Sequence, residues 1–193
     1  MVTPRSALPV LICAAALATA GSALARSAES HRAAVPSAHA ARGCGRTSLT
    51  PRRSNLRLLA QITLCLINRQ RGAHGLRPLQ PDGALTRAAR GHSADMVNRA
   101  YFSHDTPQGV NPFQRMGQSG YRRACALGEN LAAATGPFST PASIVRMWMN
   151  SPDHRANILS RSYRDTGMGV AFGYPGAQGY RGATYTEDFG AHC

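Results

Sequence analysis

One of the five cysteines, Cys13, lies inside an apolar run at the extreme N-terminus, and that run governs what the other four can do. Leu8 to Ala20 is about as long as the apolar core of a secretory signal. Arg5 supplies the positive charge ahead of it, and Ala23-Leu24-Ala25 has the small-x-small pattern of a cleavage site. A short membrane anchor is the competing reading, but the small residues before Arg26 favour cleavage. Bacterial lipidation needs a small residue before the cysteine, and Cys13 follows Ile12, so a lipoprotein is not expected. Cleavage after Ala25 removes Cys13 and leaves an even set: Cys44, Cys65, Cys125 and Cys193. An exported chain of this kind is expected to carry two disulfides. Three connectivities are open, and Cys44 with Cys65 and Cys125 with Cys193 is the working expectation. No C-x-x-C pair occurs, so a zinc ribbon or thioredoxin-type motif has no support.

What remains after residue 25 is 168 residues with 21 Arg against 9 acids, or +12; every basic residue is Arg. That length suits one domain. No second apolar stretch is long enough to span a bilayer, which excludes an integral membrane protein. A charged fraction of only 16% argues against a disordered polyelectrolyte. Nucleic-acid binding would need a basic stripe with groove-reading or stacking elements. Here the arginines are scattered, with short clusters only at Arg52-Arg53 and Arg122-Arg123. No nucleic-acid partner is therefore expected. For a secreted or extracytoplasmic chain, in the periplasm or cell envelope, the basic surface suits an anionic envelope polymer or lipid headgroups. Membrane contact would be peripheral at most, and the attraction should fall with salt. A basic surface with no dedicated ligand is the plainer alternative.

Residues 26–53 are rich in Ala, Ser, Arg and His, with almost no large apolar side chain, and read as a flexible basic lead-in pinned at Cys44. The globular domain is expected over 54–193. Leu59, Ile62, Cys65 and Leu66 form a helical stripe that ends at Gly72. Asp82 can cap a second helix with Leu85, Ala88, Ala89, His92 and Met96 on one face. Asn111-Pro112, Thr140-Pro141 and Ser151-Pro152 each read as an N-cap followed by proline at the first helical position. Alternation marks strands at Met168 to Phe172 and Ala183 to Phe189, with a weaker one at Tyr121 to Leu127. Several helices around a small sheet predict an α+β layered sandwich.

Three segments place polar residues in apolar surroundings: Tyr101-Phe102-Ser103-His104, Gly128-Glu129-Asn130-Leu131, and Trp148 through Arg155. With Leu66-Ile67-Asn68-Arg69, Ala156-Asn157-Ile158-Leu159, Gly167-Met168-Gly169-Val170 and Tyr185 to Gly190, they make the chain resemble the CAP superfamily in its bacterial form. These are the SCP-like extracellular domains shared by cysteine-rich secretory proteins and plant pathogenesis-related proteins. The likeness runs from about Leu64 to Gly190. It implies a three-layer α-β-α sandwich with a small central antiparallel sheet flanked by helices. It also implies a cleft holding two histidines and acidic residues, onto which His104, Glu129 and His154 map. The second acid of animal and plant members is missing, because Asn150 and Ser151 stand where it would be. The glycine usual before the second histidine is Asp153 here.

Two neutral imidazoles and a carboxylate suit Zn²⁺ or another divalent metal with an open position for water. The same residues could serve as general acid and base. The expected role is a binding or envelope-associated one with this cleft as its site; the alternative is a metal-dependent, peptidase-like hydrolase. No Ser or Cys is set up as a nucleophile, and the G-x-S-x-G pattern is absent. The plainer reading is a buried polar network in which Glu129 accepts hydrogen bonds from both histidines. Alternation puts Tyr185, Glu187 and Phe189 on one strand face and Thr186 and Asp188 on the other. If that face is buried, Glu187 needs a partner and could replace the missing acid; if it is exposed, Glu187 is simply solvated. Trp148 is expected in the core, Asn130 bonded to backbone, and His92 packed.

Overall fold

Asp82 caps its helix as the sequence suggests: its carboxylate accepts the Ala84 and Leu85 amides at 2.7 and 2.9 Å. The computed structural model describes residues 43–177 and 179–193, so the signal peptide and the lead-in up to residue 42 lie outside the described residues. The elements are α1 (Leu56–Ala73), β1 (Gln80–Pro81), α2 (Gly83–Asn98), α3 (Pro112–Gln118), β2 (Ala124–Thr135), α4 (Pro141–Asn150), α5 (Pro152–Ile158), β3 (Asp165–Phe172) and β4 (Gly182–His192). Asn111 and Gln114 form a reciprocal capping box at α3, and Thr140 caps α4. Ser151 precedes α5 without a side-chain cap.

The strand order is β1-β3-β4-β2. β4 pairs antiparallel with both β3 and β2, whereas β1 pairs parallel with β3. The central sheet is antiparallel, as the resemblance implies, with one two-residue parallel pair added at its β1 edge. β1 is short because Asp82, whose amide still donates to Thr166 O at 2.8 Å, turns directly into the cap of α2. β2 is longer than the alternation at Tyr121 to Leu127 indicates. It continues through Glu129, Asn130 and an alanine run, because both faces are covered and no polar alternation is needed.

Helices α1, α4 and α5 cover one face of the sheet, and α2 and α3 the other, giving the α-β-α sandwich. The larger core lies under α1 and α4, where Trp148, Tyr185, Phe189 and Leu59 are fully buried. The Trp148 indole donates to Leu131 O at 2.9 Å. On the other side α2 sits almost backbone to backbone on β3. A Cβ on Gly167 would lie 2.0 Å from the Leu85 carbonyl carbon, and one on Gly169 would lie 2.2 Å from that of Ala89. Arg71 is buried in α1 and donates to Ile158 O and Ser160 O at 2.7 and 2.9 Å, which ties down the end of α5.

Both disulfides form in the expected pairing, Cys44–Cys65 and Cys125–Cys193. The part of the lead-in that is described, 43–53, is packed rather than free. Cys44 is buried, Leu49 joins the larger core, and Thr47 O accepts the Ala142 amide at 3.0 Å. The domain therefore begins ahead of Ser54; the bond to α1 and one apolar anchor suffice to hold a segment with little core of its own.

Candidate functional site

Glu129 lies in the middle of β2 with its side chain on the α2–α3 face, only 2% exposed. A carboxylate buried this deeply needs partners. It has two: His104 Nδ1 lies 2.7 Å from Oε1, and Arg115 Nη2 donates to Oε2 at 2.6 Å. Arg115 comes from α3 and also donates to His104 O at 2.6 Å and Val110 O at 3.1 Å. It therefore holds the loop that carries His104 as well as the acid that faces it.

His154 reaches the same region from the other layer. It lies on α5, and its carbonyl accepts the Asn130 amide group at 3.1 Å. Asn157 Nδ2 donates to Asn130 Oδ1 at 2.9 Å and to Glu129 O at 3.3 Å, so α5 is fastened to β2 at the Gly128-Glu129-Asn130 segment. β2 is an edge strand, and the two imidazoles approach round its free edge. Burial lowers the His154 pKa, and the charge of His104 lowers it further. His104 moves the opposite way, raised chiefly by its hydrogen bond to Glu129. The two imidazoles are thus pushed to opposite sides of the ordinary histidine value.

The structure brings His104 and Glu129 into contact but does not assemble the expected three-residue metal shell. Among the described residues no group of three or more His, Cys, Asp or Glu side chains is disposed to hold a metal ion. The physical reason is local: both Glu129 oxygens are already engaged, one by a permanent cation. Nor does Glu129 bridge both histidines, because its second partner is Arg115 in place of His154.

Glu187 is fully buried, so its strand face is not solvated. It points into the α1 layer, where Thr166 Oγ1 donates to Oε1 at 3.3 Å and Arg71 is the nearby charge. The acid beside Glu129 is its neighbour Asp188, which stands opposite Glu129 across the β2–β4 ladder. Asp188 is also buried, and its pKa is pushed well up by burial and then by the Glu129 charge. Sequence reading named Asp188 only as a residue on the other strand face. The signal that could have found it was the β2–β4 register, which no single segment carries.

The remaining residues are structural. His92 is buried with Nε2 2.9 Å from Ser103 O, and Tyr101 donates to Asp95 at 2.5 Å; both brace the turn that leads to His104. Arg155 points away, 3.3 Å from the His74 ring.

A model of the family described as the cysteine-rich secretory protein family, CAP, matches residues 64–186. The chain belongs to the CAP family. The matched span takes in His104, Arg115, Glu129 and His154 and ends just short of Asp188. Among curated proteins, this CAP chain is 40% identical over 104 residues to YkwD, an uncharacterized protein of Bacillus subtilis (strain 168), covering 54% of this chain and 39% of that protein. The CAP chain thus spans well under half the length of the curated relatives it matches. Among solved structures, it resembles an extracellular protein containing an SCP domain from Bacillus anthracis, with 30% identity and a TM-score of 0.58, covering 73% of this chain and 43% of that one. It also resembles an outer surface protein from Borrelia burgdorferi, with 17% identity and a TM-score of 0.59 over 76% and 99% of the two chains; that likeness is one of fold.

Proposed function

We propose that this CAP domain is an extracytoplasmic binding protein whose cleft offers His104 and His154 to a divalent metal such as Zn²⁺, with Glu129 orienting His104 and not ligating. The contact that carries this reading is the 2.7 Å approach of His104 Nδ1 to Glu129 Oε1. A carboxylate on one ring nitrogen selects the tautomer that donates there and leaves Nε2 as the acceptor, the usual support for a metal-binding imidazole. The His104 side chain is 53% exposed, so Nε2 is accessible. The donor set fits two imidazoles completed by water, and it does not fit Glu129 as a third ligand. When bound, such an ion would polarise a water or carbonyl oxygen as a Lewis acid.

The chain's own residues set the proton inventory. His104 holds its proton more tightly than usual because of Glu129, and metal uptake must displace that proton. His154 is neutral over a wider pH range than usual. Uptake should therefore strengthen as pH rises through the His104 titration. The same split between the two rings favours a second reading, a metal-dependent hydrolase of peptidase type, because it provides one proton donor and one acceptor in a single cleft.

The extracytoplasmic location is supported by the N-terminal export pattern, the two disulfides and the extracellular or surface description of the Bacillus anthracis and Borrelia proteins. Fractionation of the full chain, with a mass matching cleavage after Ala25, checks it. For the cleft, calorimetric titration with Zn²⁺ should show uptake by the wild type that His104→Ala or His154→Ala abolishes. Glu129→Gln should weaken it about tenfold or more without abolishing it. Loss in Glu129→Gln as complete as in the histidine variants would make Glu129 a ligand. No uptake by the wild type would leave the polar network as purely structural. Zinc-dependent peptide hydrolysis that disappears with both histidine variants would favour the enzyme.

A further inference from the structure

A basic groove lies away from the histidine cleft, where the segment entering α1, the middle of α2 and the end of β3 meet. One part, about 760 Å³, is lined by Arg52, Arg53, Phe172, Tyr174, Tyr180 and Arg181. It runs on past Arg53 and Phe172, which line both parts, into a second of about 550 Å³ that includes Arg87 and Arg90. Five arginines therefore line one continuous groove, the Arg87 guanidinium turning toward Ser119, and among the described residues no Asp or Glu lines it.

None of the five pairs with a carboxylate among the described residues. The arginines that do so are Arg99, with Asp95, and Arg115, with Glu129. Of the groove arginines, Arg87 donates to Ser119 O at 2.8 Å, and the Arg53 guanidinium lies 5.3 Å from the centre of the Phe172 ring. Like charges gathered in a concave site without counter-charges focus a field that attracts anions. Tyr174 and Tyr180 are 40% and 64% exposed, so their rings present flat amphipathic faces beside the charges. The chain's own residues 26–42 are an unsuitable occupant, since they carry Arg26, Arg32 and Arg42 against Glu29 alone.

We propose that this groove binds an anionic glycan chain, its carboxylates paired with Arg52, Arg53 and their neighbours and its sugar rings lying on Tyr174 and Tyr180. Guanidinium forks suit carboxylates, and the CH faces of sugar rings suit aromatic faces. An extended polymer suits a groove that is open to solvent along its length. The proposal shares with the metal reading only the extracytoplasmic location. Glycan binding and zinc uptake draw on different residues and can fail separately.

The test is fluorescence anisotropy with a labelled oligogalacturonate on the mature chain. Arg52→Ala/Arg53→Ala should weaken binding about tenfold or more, and Tyr174→Ala/Tyr180→Ala about threefold. Arg122→Ala/Arg161→Ala, an equal charge change at exposed sites outside the groove, should leave binding within about twofold. Thermal melts of each variant establish that it is folded. Equal losses from the two arginine pairs would overturn the proposal in favour of diffuse charge. Polyglutamate bound as tightly, with no dependence on the tyrosines, would make the occupant an acidic peptide. Binding to phosphatidylglycerol vesicles but not to the oligosaccharide would make it a lipid surface. No binding to any of the three would also overturn it.

Discussion

Glu129 of β2 stands directly opposite Asp188 of β4, and both carboxyl groups are buried on the face of the sheet that α2 and α3 cover. His104 and Arg115 take the two Glu129 oxygens, while Asp188 Oδ1 has no partner among the described residues. Two carboxylates this close do not both ionise, and Arg115 favours charge on the one it touches. Burial and the facing Glu129 carboxylate thus favour the proton on Asp188.

Arg115 is the cation that lets Glu129 stay charged in a buried site. Arg115→Met leaves that charge facing only a half-exposed imidazole. It should cost about 3–5 kcal/mol in urea unfolding at neutral pH, as removal of one partner from a buried ion pair does. A loss below about 1 kcal/mol would show that solvent or His104 replaces the guanidinium.

The Asp188 proton makes stability pH-dependent in a definite direction. Its folded-state pKa lies above the unfolded value, so the folded chain holds a proton that the unfolded chain has released. This contribution is complete below about pH 4 and is lost as pH rises toward the folded pKa. Asp188→Asn has no such proton to keep. Relative to wild type, its unfolding free energy should improve steadily as pH rises above about 4. Parallel curves for the two proteins would rule out a protonated Asp188.

The two cleft histidines should titrate on opposite sides of the ordinary imidazole value in a nitrogen-detected NMR titration. His104 lies above it because of Glu129, and His154 lies below it because of burial and then His104. The stabilisation from charged His104 is present at acid pH and fades as pH rises through its folded pKa. Glu129→Gln should bring the His104 midpoint down. A midpoint that does not move would place the cause elsewhere.

The disulfides should differ in worth. Cys125–Cys193 closes 68 residues of separation and Cys44–Cys65 closes 21. On chain entropy alone, removing the longer loop costs about 4 kcal/mol and the shorter about 3 kcal/mol. Paired Cys→Ser variants, compared by denaturant midpoint, test the order. A larger loss for the shorter loop would mean that seating 43–53 on the domain matters more than loop length.

Two glycines predict opposite outcomes from the same substitution. Gly169→Ala forces a methyl into the Ala89 backbone, which cannot retreat without lifting α2, so a loss of about 3 kcal/mol or more is expected. Gly91→Ala sits on that same helix α2 with nothing within 4 Å of its new Cβ and should gain about 0.5–1 kcal/mol. Thermal melts of the two variants decide this, and a stable Gly169→Ala would refute the backbone-to-backbone contact.

Much of this was legible along the chain because the signals are local. The caps at Asp82, Asn111 and Thr140 each act within one helical turn, and the apolar stripe of α1 repeats within its own length. The inner strands β3 and β4 announced themselves by alternation, but β2 hid its second half, since Ala132, Ala133 and Ala134 alternate in face without alternating in polarity. β1 hid altogether, because two residues carry no period. The packed lead-in was missed for a related reason: its composition reads as open chain, and one disulfide with one leucine overrides it.

At the site, the sequence by itself determined which residue types are present and placed His104, Glu129 and His154 in motifs that meet in space. It could also show that Glu187 and Asp188 occupy opposite faces of their strand. Only the tertiary structure decided that Asp188 faces Glu129 while Glu187 faces Arg71, that Arg115 holds the oxygen assigned to a metal, and that five scattered arginines share one groove. The reason is physical. A residue's face follows from the backbone repeat within one strand, whereas its partner depends on the register between strands and on which helix covers the sheet. Those choices are made by the burial of the whole core.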